Sequence, residues 1–160
     1  MILTPTAIVR WVQEKFDGVV VKDAFSELTF FYNPGHRLPN GVYFLTIKEN
    51  DGPNDKASAL DREGVFRISF KPEASTYQRH FGVKPKRASK GGLMDTGVDY
   101  SALDTWLPHP IYAWMGWTMI LNPTRERFEF LMPFIEESYV QAQNRFLKRF
   151  GGSCLAKRKQ

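Results

Sequence analysis

Apolar and polar positions in the first part of the chain predict one helix and then several strands. Apolar residues recur at helical spacing after Thr4 and Pro5, which are favoured at the start of a helix, and Gly18 ends this pattern. Short runs rich in β-branched and aromatic residues predict strands at 19–21, 28–32 and 42–48. The chain therefore opens with an amphipathic helix that is followed by strands.

A strict alternation at residues 65–70 predicts a further strand with two different faces. Apolar side chains at every second position are expected to face the core, whereas Arg67 lies on the opposite face. One interpretation makes Arg67 a surface residue that pairs with an acid such as Asp61 or Glu63. The alternative is that Arg67 belongs to a ligand site.

The rest of the chain predicts helices and one strand around a long irregular segment. A short helix is expected at 72–81, closed by Gly82, and residues 83–97 lack any periodicity. The remaining elements are expected at 99–107 (a helical turn), 117–121 (a strand) and 125–150 (a long helix with one apolar face). The order helix, strands, helix, strand, helix predicts an α+β fold.

Composition favours a folded chain, because 42% of the residues are hydrophobic and 14% are aromatic. We predict one domain over residues 1–150 and a flexible basic tail at 151–160. Cys154 is the only cysteine, which suits a reducing compartment. No stretch has the apolar length of a signal peptide or of a membrane span. These features predict a cytoplasmic protein that has no membrane partner.

The net charge of +5 comes from two basic segments, and the remainder of the chain carries a net charge of −2. The first segment contains Lys84, Lys86, Arg87 and Lys90, and the second contains Lys157, Arg158 and Lys159. Such segments can bind the phosphates of nucleic acid, or they can serve only to keep the protein in solution.

Local signatures of catalysis, metal binding and cofactor binding are missing from the sequence. There is no nucleophile elbow and no glycine-rich phosphate loop, and His36, His80 and His109 are too scattered to suggest zinc. We therefore predict no cofactor and no metal, and we favour a binding role over an enzyme. Catalytic groups can converge from distant positions, so an enzyme stays an alternative.

The segment 103–123 is the best candidate for a small-molecule site, because it holds three of the four tryptophans and a histidine between two prolines. The predicted pocket residues are Arg67, Asp104, His109, Tyr112, Trp114 and Trp117. In this hypothesis His109 is a proton shuttle near neutral pH, the rings form apolar walls, and Asp104 or Arg67 orients a polar ligand group. The alternative makes His109 a hydrogen-bonded loop residue and packs the aromatic rings between the sheet and the last helix.

Two segments carry a resemblance to known families. Residues 55–82 contain DKASALDREGVFRISF and YQRHFG, and residues 99–142 contain DYSALD, PHPIYAWMGW and LNP. In these segments the chain resembles an uncharacterised bacterial domain-of-unknown-function family and is more distantly similar to the MmcQ/YjbR-like proteins. The resemblance implies a curved antiparallel sheet flanked by helices. It also implies a link to DNA, since the MmcQ/YjbR-like proteins have been suggested to bind DNA through a double-wing-like arrangement.

The sequence as a whole favours a non-enzymatic binding module. Its preferred partner is nucleic acid, bound through the basic segment at Lys84, Lys86, Arg87 and Lys90 and through the basic tail. The alternative is a small-molecule-binding protein, or an enzyme, that uses the aromatic pocket around His109. The oligomeric state and the identity of a ligand stay open at this point.

Overall fold

The computed structural model describes residues 3–89 and 92–150, which form a six-stranded sheet and three α-helices. The α-helices are α1 (Pro5–Lys15), α2 (Ala74–Phe81) and α3 (Arg125–Arg149). The strands are β1 (Val19–Ala24), β2 (Glu27–Tyr32), β3 (Val42–Lys48), β4 (Arg67–Phe70), β5 (Leu107–Pro108) and β6 (Thr118–Leu121). Two short 3-10 helices, Pro34–His36 and Ala113–Met115, lie in the connections.

Neighbouring strands all pair antiparallel, in the order β1-β2-β3-β4-β6-β5. Each of the predicted strands is found, and β5 is an additional short strand at the edge. The prediction of an α+β fold is confirmed. The fold consists of an antiparallel sheet, an N-terminal helix, a short middle helix and a long C-terminal helix.

Helices α1 and α3 cover one side of the sheet, here called the helix face, which carries Leu45, Ile68 and Ile120. Thr4 caps α1, because its hydroxyl accepts a hydrogen bond of 3.1 Å from the backbone N–H of Ala7. Apolar side chains of both helices and of the strands form one continuous core. The helix face therefore supplies most of the buried apolar surface that stabilises the fold.

The apolar face predicted for the last helix packs as expected. Its residues in the core are Leu131, Ile135, Tyr139, Ala142 and Phe146, and the partly buried Phe134 packs against them. Between them, the Ser138 hydroxyl donates to the backbone oxygen of Phe44 (2.7 Å) and accepts from the backbone N–H of Lys71 (3.1 Å). One side chain thus joins α3 to β3 and to the end of β4.

The opposite side of the sheet, here called the pocket face, carries Thr46, Ser69 and Met119 because side chains alternate along a strand. A second, smaller apolar cluster covers part of it and consists of Leu60, Val65, Tyr100, Leu107, Met119 and Leu121. Loops before β4 and before β5 contribute to this cluster. Beside it, the pocket face opens into a cavity.

The helical turn predicted within 99–107 is found only as one hydrogen-bonded turn, in which the backbone N–H of Ala102 donates to the backbone oxygen of Asp99 (3.1 Å). Asp99 accepts hydrogen bonds from the backbone N–H (2.9 Å) and the hydroxyl (2.6 Å) of Ser101, as a capping residue does, but no helix follows. Within residues 3–89 and 92–150, no helix is both long enough and apolar enough to cross a bilayer.

Several predictions concern residues outside the described part of the chain. These are Lys90, Cys154, Lys157, Arg158 and Lys159, together with the flexible tail predicted at 151–160. The domain boundary at residue 150 and the cytoplasmic location also stay predictions.

Candidate functional site

A cavity of about 270 Å³ opens on the pocket face, away from α1 and α3. Its lining residues are Phe25, Glu27, Tyr43, Thr46, Ser69, His109, Tyr112 and Trp117. The β1–β2 hairpin, the middle strands and the segment between β5 and β6 each contribute some of them. Since ligand pockets have volumes from roughly 300 Å³ upwards, this cavity suits only a small molecule.

A strained turn holds Phe25 at the cavity and comes directly before Glu27. Phe25 and Ser26 form the two-residue loop between β1 and β2, and both have positive φ angles, 57° and 63°. Asparagine and glycine are the usual residues at such positions, because a Cβ atom makes this conformation unfavourable. The chain nevertheless holds Phe25 here with 71% of its surface exposed. Strain of this kind is often found where a side chain serves a function.

Aromatic rings form the rim of the cavity. Tyr43 and Trp117 are stacked, with ring centroids 5.4 Å apart and an interplanar angle of 21°. Tyr43 and Tyr112 are both exposed, as is Phe25. Rings that are accessible on one side can stack on a planar ligand, which makes this rim an apolar contact surface.

Polar atoms without hydrogen-bond partners lie on the floor. Among the described residues, four buried side-chain nitrogen or oxygen atoms lack a partner, and two of them, Glu27 Oε1 and Ser69 Oγ, belong to residues that line the cavity. A third, Arg67 Nε, lies two residues before Ser69 on the same strand and outside the lining. Ser69 and Arg67 are almost completely buried. Buried polar atoms are nearly always hydrogen-bonded, so an unpartnered group at a cavity indicates a missing partner.

Arg67 lies under the pocket face rather than on the surface, which corrects the interpretation that it pairs with Asp61 or Glu63. Only 1% of Arg67 is exposed, and its guanidinium donates to Asp55 Oδ1 (2.9 Å) and Oδ2 (2.5 Å). Lys48, directly opposite on β3, is also buried. The pocket face therefore contains two buried cationic side chains, Lys48 and Arg67. The alternation of the sequence could not show that Arg67 is buried rather than on the surface.

Glu27 is the acidic residue of the floor. Burial raises the pKa of its carboxyl group, although the positive charge of Arg67 and the Thr46 hydroxyl act in the opposite direction. Its Oε1 is the atom without a partner, so it can accept a hydrogen bond from a ligand.

His109 is held in one defined protonation state. Its Nδ1 accepts hydrogen bonds from the backbone N–H groups of Ile111 (3.0 Å) and Tyr112 (3.1 Å), so the ring proton is on Nε2. Burial lowers the pKa of His109 well below its usual value, and the charges of Arg67 and Lys48 lower it further. His109 is therefore neutral at pH 7 and a hydrogen-bond donor, not the proton shuttle expected near neutral pH.

The predicted pocket residues lie in three places. His109, Tyr112 and Trp117 line the cavity together, and Arg67 lies on the strand face beside Ser69. Asp104 is elsewhere: its carboxylate accepts from the backbone N–H (2.8 Å) of Thr124, at the start of α3. Trp114 is also outside the lining, with its ring 4.6 Å from the guanidinium of Arg87.

Five lining residues were not predicted: Phe25, Glu27, Tyr43, Thr46 and Ser69. The sequence contained two usable signals for them. Polar residues alternate with apolar ones in strands that are central to the sheet, and a bulky Phe occupies a tight turn. The aromatic packing expected between the sheet and the last helix is wrong for Trp117, which lies on the opposite side.

The described part of the basic segment lies beside this region, since Lys84 passes close to Gly116, the residue before Trp117. Lys84, Lys86 and Arg87 are exposed, and Lys90 is outside the described residues. Residues 3–89 and 92–150 contain no group of three or more His, Cys, Asp or Glu side chains that could hold a metal ion.

Comparison with known proteins identifies a family but no activity. No curated protein and no solved structure matches the chain, and nothing links it to the MmcQ/YjbR-like proteins or to bacteria. One family model does match, and it covers residues 3–151, which is nearly the whole chain. The chain therefore belongs to a family of unknown function, DUF6194.

Proposed function

We propose that this protein binds a small planar molecule in the cavity on the pocket face. The observation that carries the proposal is the pair of unpartnered polar atoms, Glu27 Oε1 and Ser69 Oγ, in the lining beneath an aromatic rim. Each unpartnered buried group costs about 1–3 kcal/mol of stability. A ligand that supplies partners to these atoms recovers part of this cost when it binds.

The side chains of the lining favour one chemical class of ligand. The stacked pair Tyr43 and Trp117 and the exposed rings of Phe25 and Tyr112 favour a flat, unsaturated ring. On the floor, the neutral His109 donates from Nε2 and the Ser69 hydroxyl can donate or accept. The best match is a heteroaromatic ring with hydrogen-bond acceptors along one edge.

Thermal unfolding with a library of heteroaromatic fragments tests this proposal. Fragments that bind should raise the melting temperature and change the emission of Trp117, which lies in the cavity wall. The effect should be reduced in Tyr112→Ala and in Ser69→Ala. Phe130→Ala is the matched control, because Phe130 is about as exposed as Tyr112 and lies outside the cavity.

Two outcomes would overturn the binding proposal. One is a library without a single stabilising fragment at millimolar concentration. The other is a set of fragments whose effect is lost equally in Tyr112→Ala and Phe130→Ala, since that would locate binding outside the cavity.

A second candidate function is the binding of nucleic acid through the basic segment. The observation that favours it is the exposure of Lys84, Lys86 and Arg87, with Arg87 placed over the ring of Trp114. Cations of this kind contact phosphates, and the affinity then falls steeply with salt. This candidate includes the DNA-binding arrangement that the resemblance to MmcQ/YjbR-like proteins implies.

Fluorescence anisotropy with duplex and single-stranded DNA tests the second candidate. Salt-sensitive binding that is lost in Lys86→Gln/Arg87→Gln would support it. Absence of binding at low salt would reject it and would leave the cavity proposal unaffected, because neither residue lines the cavity.

A further inference from the structure

We propose that the ligand of the cavity carries a phosphomonoester group, which Lys71, Lys84 and Arg145 bind beside the aromatic rim. This inference rests on the proposed function and specifies the chemical class of its ligand. It is carried by the way three cations from separate elements meet next to Trp117.

Gly116 is the point at which two of the cations meet. A Cβ atom at this position would lie 3.6 Å from both Lys71 Cε and Lys84 Cδ, so both side chains pass directly over the glycine. The left-handed backbone of Gly116, with φ of 92°, lets the chain turn into Trp117 at this point. The two lysines therefore adjoin a wall residue of the cavity.

Arg145 reaches the same place from α3. Gln141, one turn earlier on this helix, donates a hydrogen bond of 2.9 Å to the backbone oxygen of Lys71. Residues four apart lie on the same side of a helix, so Arg145 is placed on the side that faces Lys71. It is exposed to solvent, which keeps its guanidinium available to a ligand.

The three cations have no acidic partner in the described part of the chain, where the one ion pair joins Arg67 and Asp55. Burial lowers the pKa of Lys71, and the charges of Arg145 and Lys84 lower it further. Like charges brought together are unfavourable unless an anion binds between them. A phosphomonoester carries between one and two negative charges near neutral pH and three acceptor oxygens, which suits three cationic donors better than a carboxylate does.

The connection to the cavity runs through Tyr43. This residue lines the cavity and stacks on Trp117, which directly follows Gly116 in the chain. The Tyr43 hydroxyl also lies within range of the positive charge of Arg145. A single small ligand can therefore place its ring on the floor and its phosphate on the three cations.

Matched pairs of probes test the inference: phenol with phenyl phosphate, and uridine with uridine monophosphate, each titrated calorimetrically. We expect the phosphorylated member of at least one pair to bind tenfold more tightly or better. In Lys71→Gln/Lys84→Gln this advantage should disappear, while binding of the unphosphorylated member is retained. Lys15→Gln/Lys56→Gln is the control, since both lysines are exposed and lie outside the cavity lining.

The outcomes separate this inference from the proposed function. Equal affinity within every pair overturns the phosphate site but leaves the cavity proposal in place. Inorganic phosphate that binds as tightly as the esters overturns the link between the cations and the cavity. Pairs in which neither member binds at millimolar concentration overturn the inference, and the fragment library then decides on the cavity by itself.

Discussion

The two faces of the sheet are built on different rules, although the same strands supply both. The helix face is apolar, and the buried hydroxyl of Ser138 makes two hydrogen bonds there. The pocket face carries buried Lys48, Arg67 and Ser69, of which Ser69 lines the cavity, and three polar atoms on this face lack partners. The first arrangement lowers the free energy of the folded chain, whereas the second raises it.

This difference is the reason to look for a function on the pocket face, where no catalytic motif marks one. Proteins are only marginally stable, so unpartnered groups persist where something other than stability is served. The helix face should therefore respond to substitution through stability alone. The pocket face should show substitutions whose effects on stability and on ligand binding have opposite signs.

The largest expected effect is on the helix face. Phe128→Ala removes a fully buried ring from the core and should lower the free energy of unfolding by about 3–5 kcal/mol. The stabilisation by a cavity ligand should be unchanged, because Phe128 lies on the other side of the sheet. Urea denaturation with and without the best fragment measures both. A loss of ligand affinity would show that the two faces are not independent.

The ion pair beneath the pocket face comes next. Asp55→Asn leaves the buried Arg67 guanidinium without its carboxylate and should lower the free energy of unfolding by about 3 kcal/mol. Glu63 is an exposed acidic residue in the same loop region as Asp55 and serves as the control. Glu63→Gln should change the free energy of unfolding by about 0.5 kcal/mol or less. Equal effects of the two variants in chemical denaturation would mean that the pair behaves like a surface salt bridge.

The strained turn offers a substitution that should stabilise the fold. Phe25→Asn/Ser26→Gly places favoured residues at two positive φ angles and should raise the free energy of unfolding by about 1–2 kcal/mol. The same change removes a ring from the rim, so fragment affinity should fall. A destabilised variant would indicate that the contact of Phe25 with Tyr43 contributes more than the strain costs.

His109 should make stability depend on pH. Because burial lowers its pKa in the folded state, the unfolded chain binds a proton first as the pH falls, and stability is lost below about pH 6.5. At most this adds a slope of about 1.4 kcal/mol per pH unit. In His109→Asn the free energy of unfolding should depend less steeply on pH between pH 8 and 5. The titration of Glu27 affects the stability of both proteins equally, so the difference between them reports His109. Parallel profiles would contradict the burial of a neutral imidazole.

The smallest expected effect is at Ser69, and Ser138, a buried serine on the other face, is the comparison. Ser69→Ala removes an unpartnered hydroxyl and should raise the free energy of unfolding by up to about 1 kcal/mol. Ser138→Ala removes two hydrogen bonds and should lower it by about 1–3 kcal/mol. Changes of the same sign in thermal and urea unfolding would remove the distinction between the faces.

The fold could be predicted from sequence because its signals are local. Thr4 and Pro5 mark the start of α1, and the apolar positions of α3 recur with the helical period. At 99–107 the local signal is present as well, since Asp99 caps the backbone N–H of Ser101, but only one hydrogen-bonded turn forms.

The candidate site could be predicted only in part, because it depends on contacts between distant residues. His109, Tyr112 and Trp117 were found since they are close together in an unusual segment. For Arg67 the sequence left a surface position and a ligand site as alternatives, because alternation shows that a face is polar but not whether loops cover it. Glu27 and Ser69 become notable only when their missing partners are seen in three dimensions.

The way the cavity is built also determines when it can form during synthesis and folding. Phe25 lies in the β1–β2 hairpin, and Trp117 directly precedes β6, the last strand in the chain. The two sides of the cavity can therefore meet only after most of the chain has been synthesised. Pairings between residues this far apart form slowly, because a long loop must close first. A nascent or truncated chain can possess α1 and the first strands and still lack the site, so ligand binding reports completed folding.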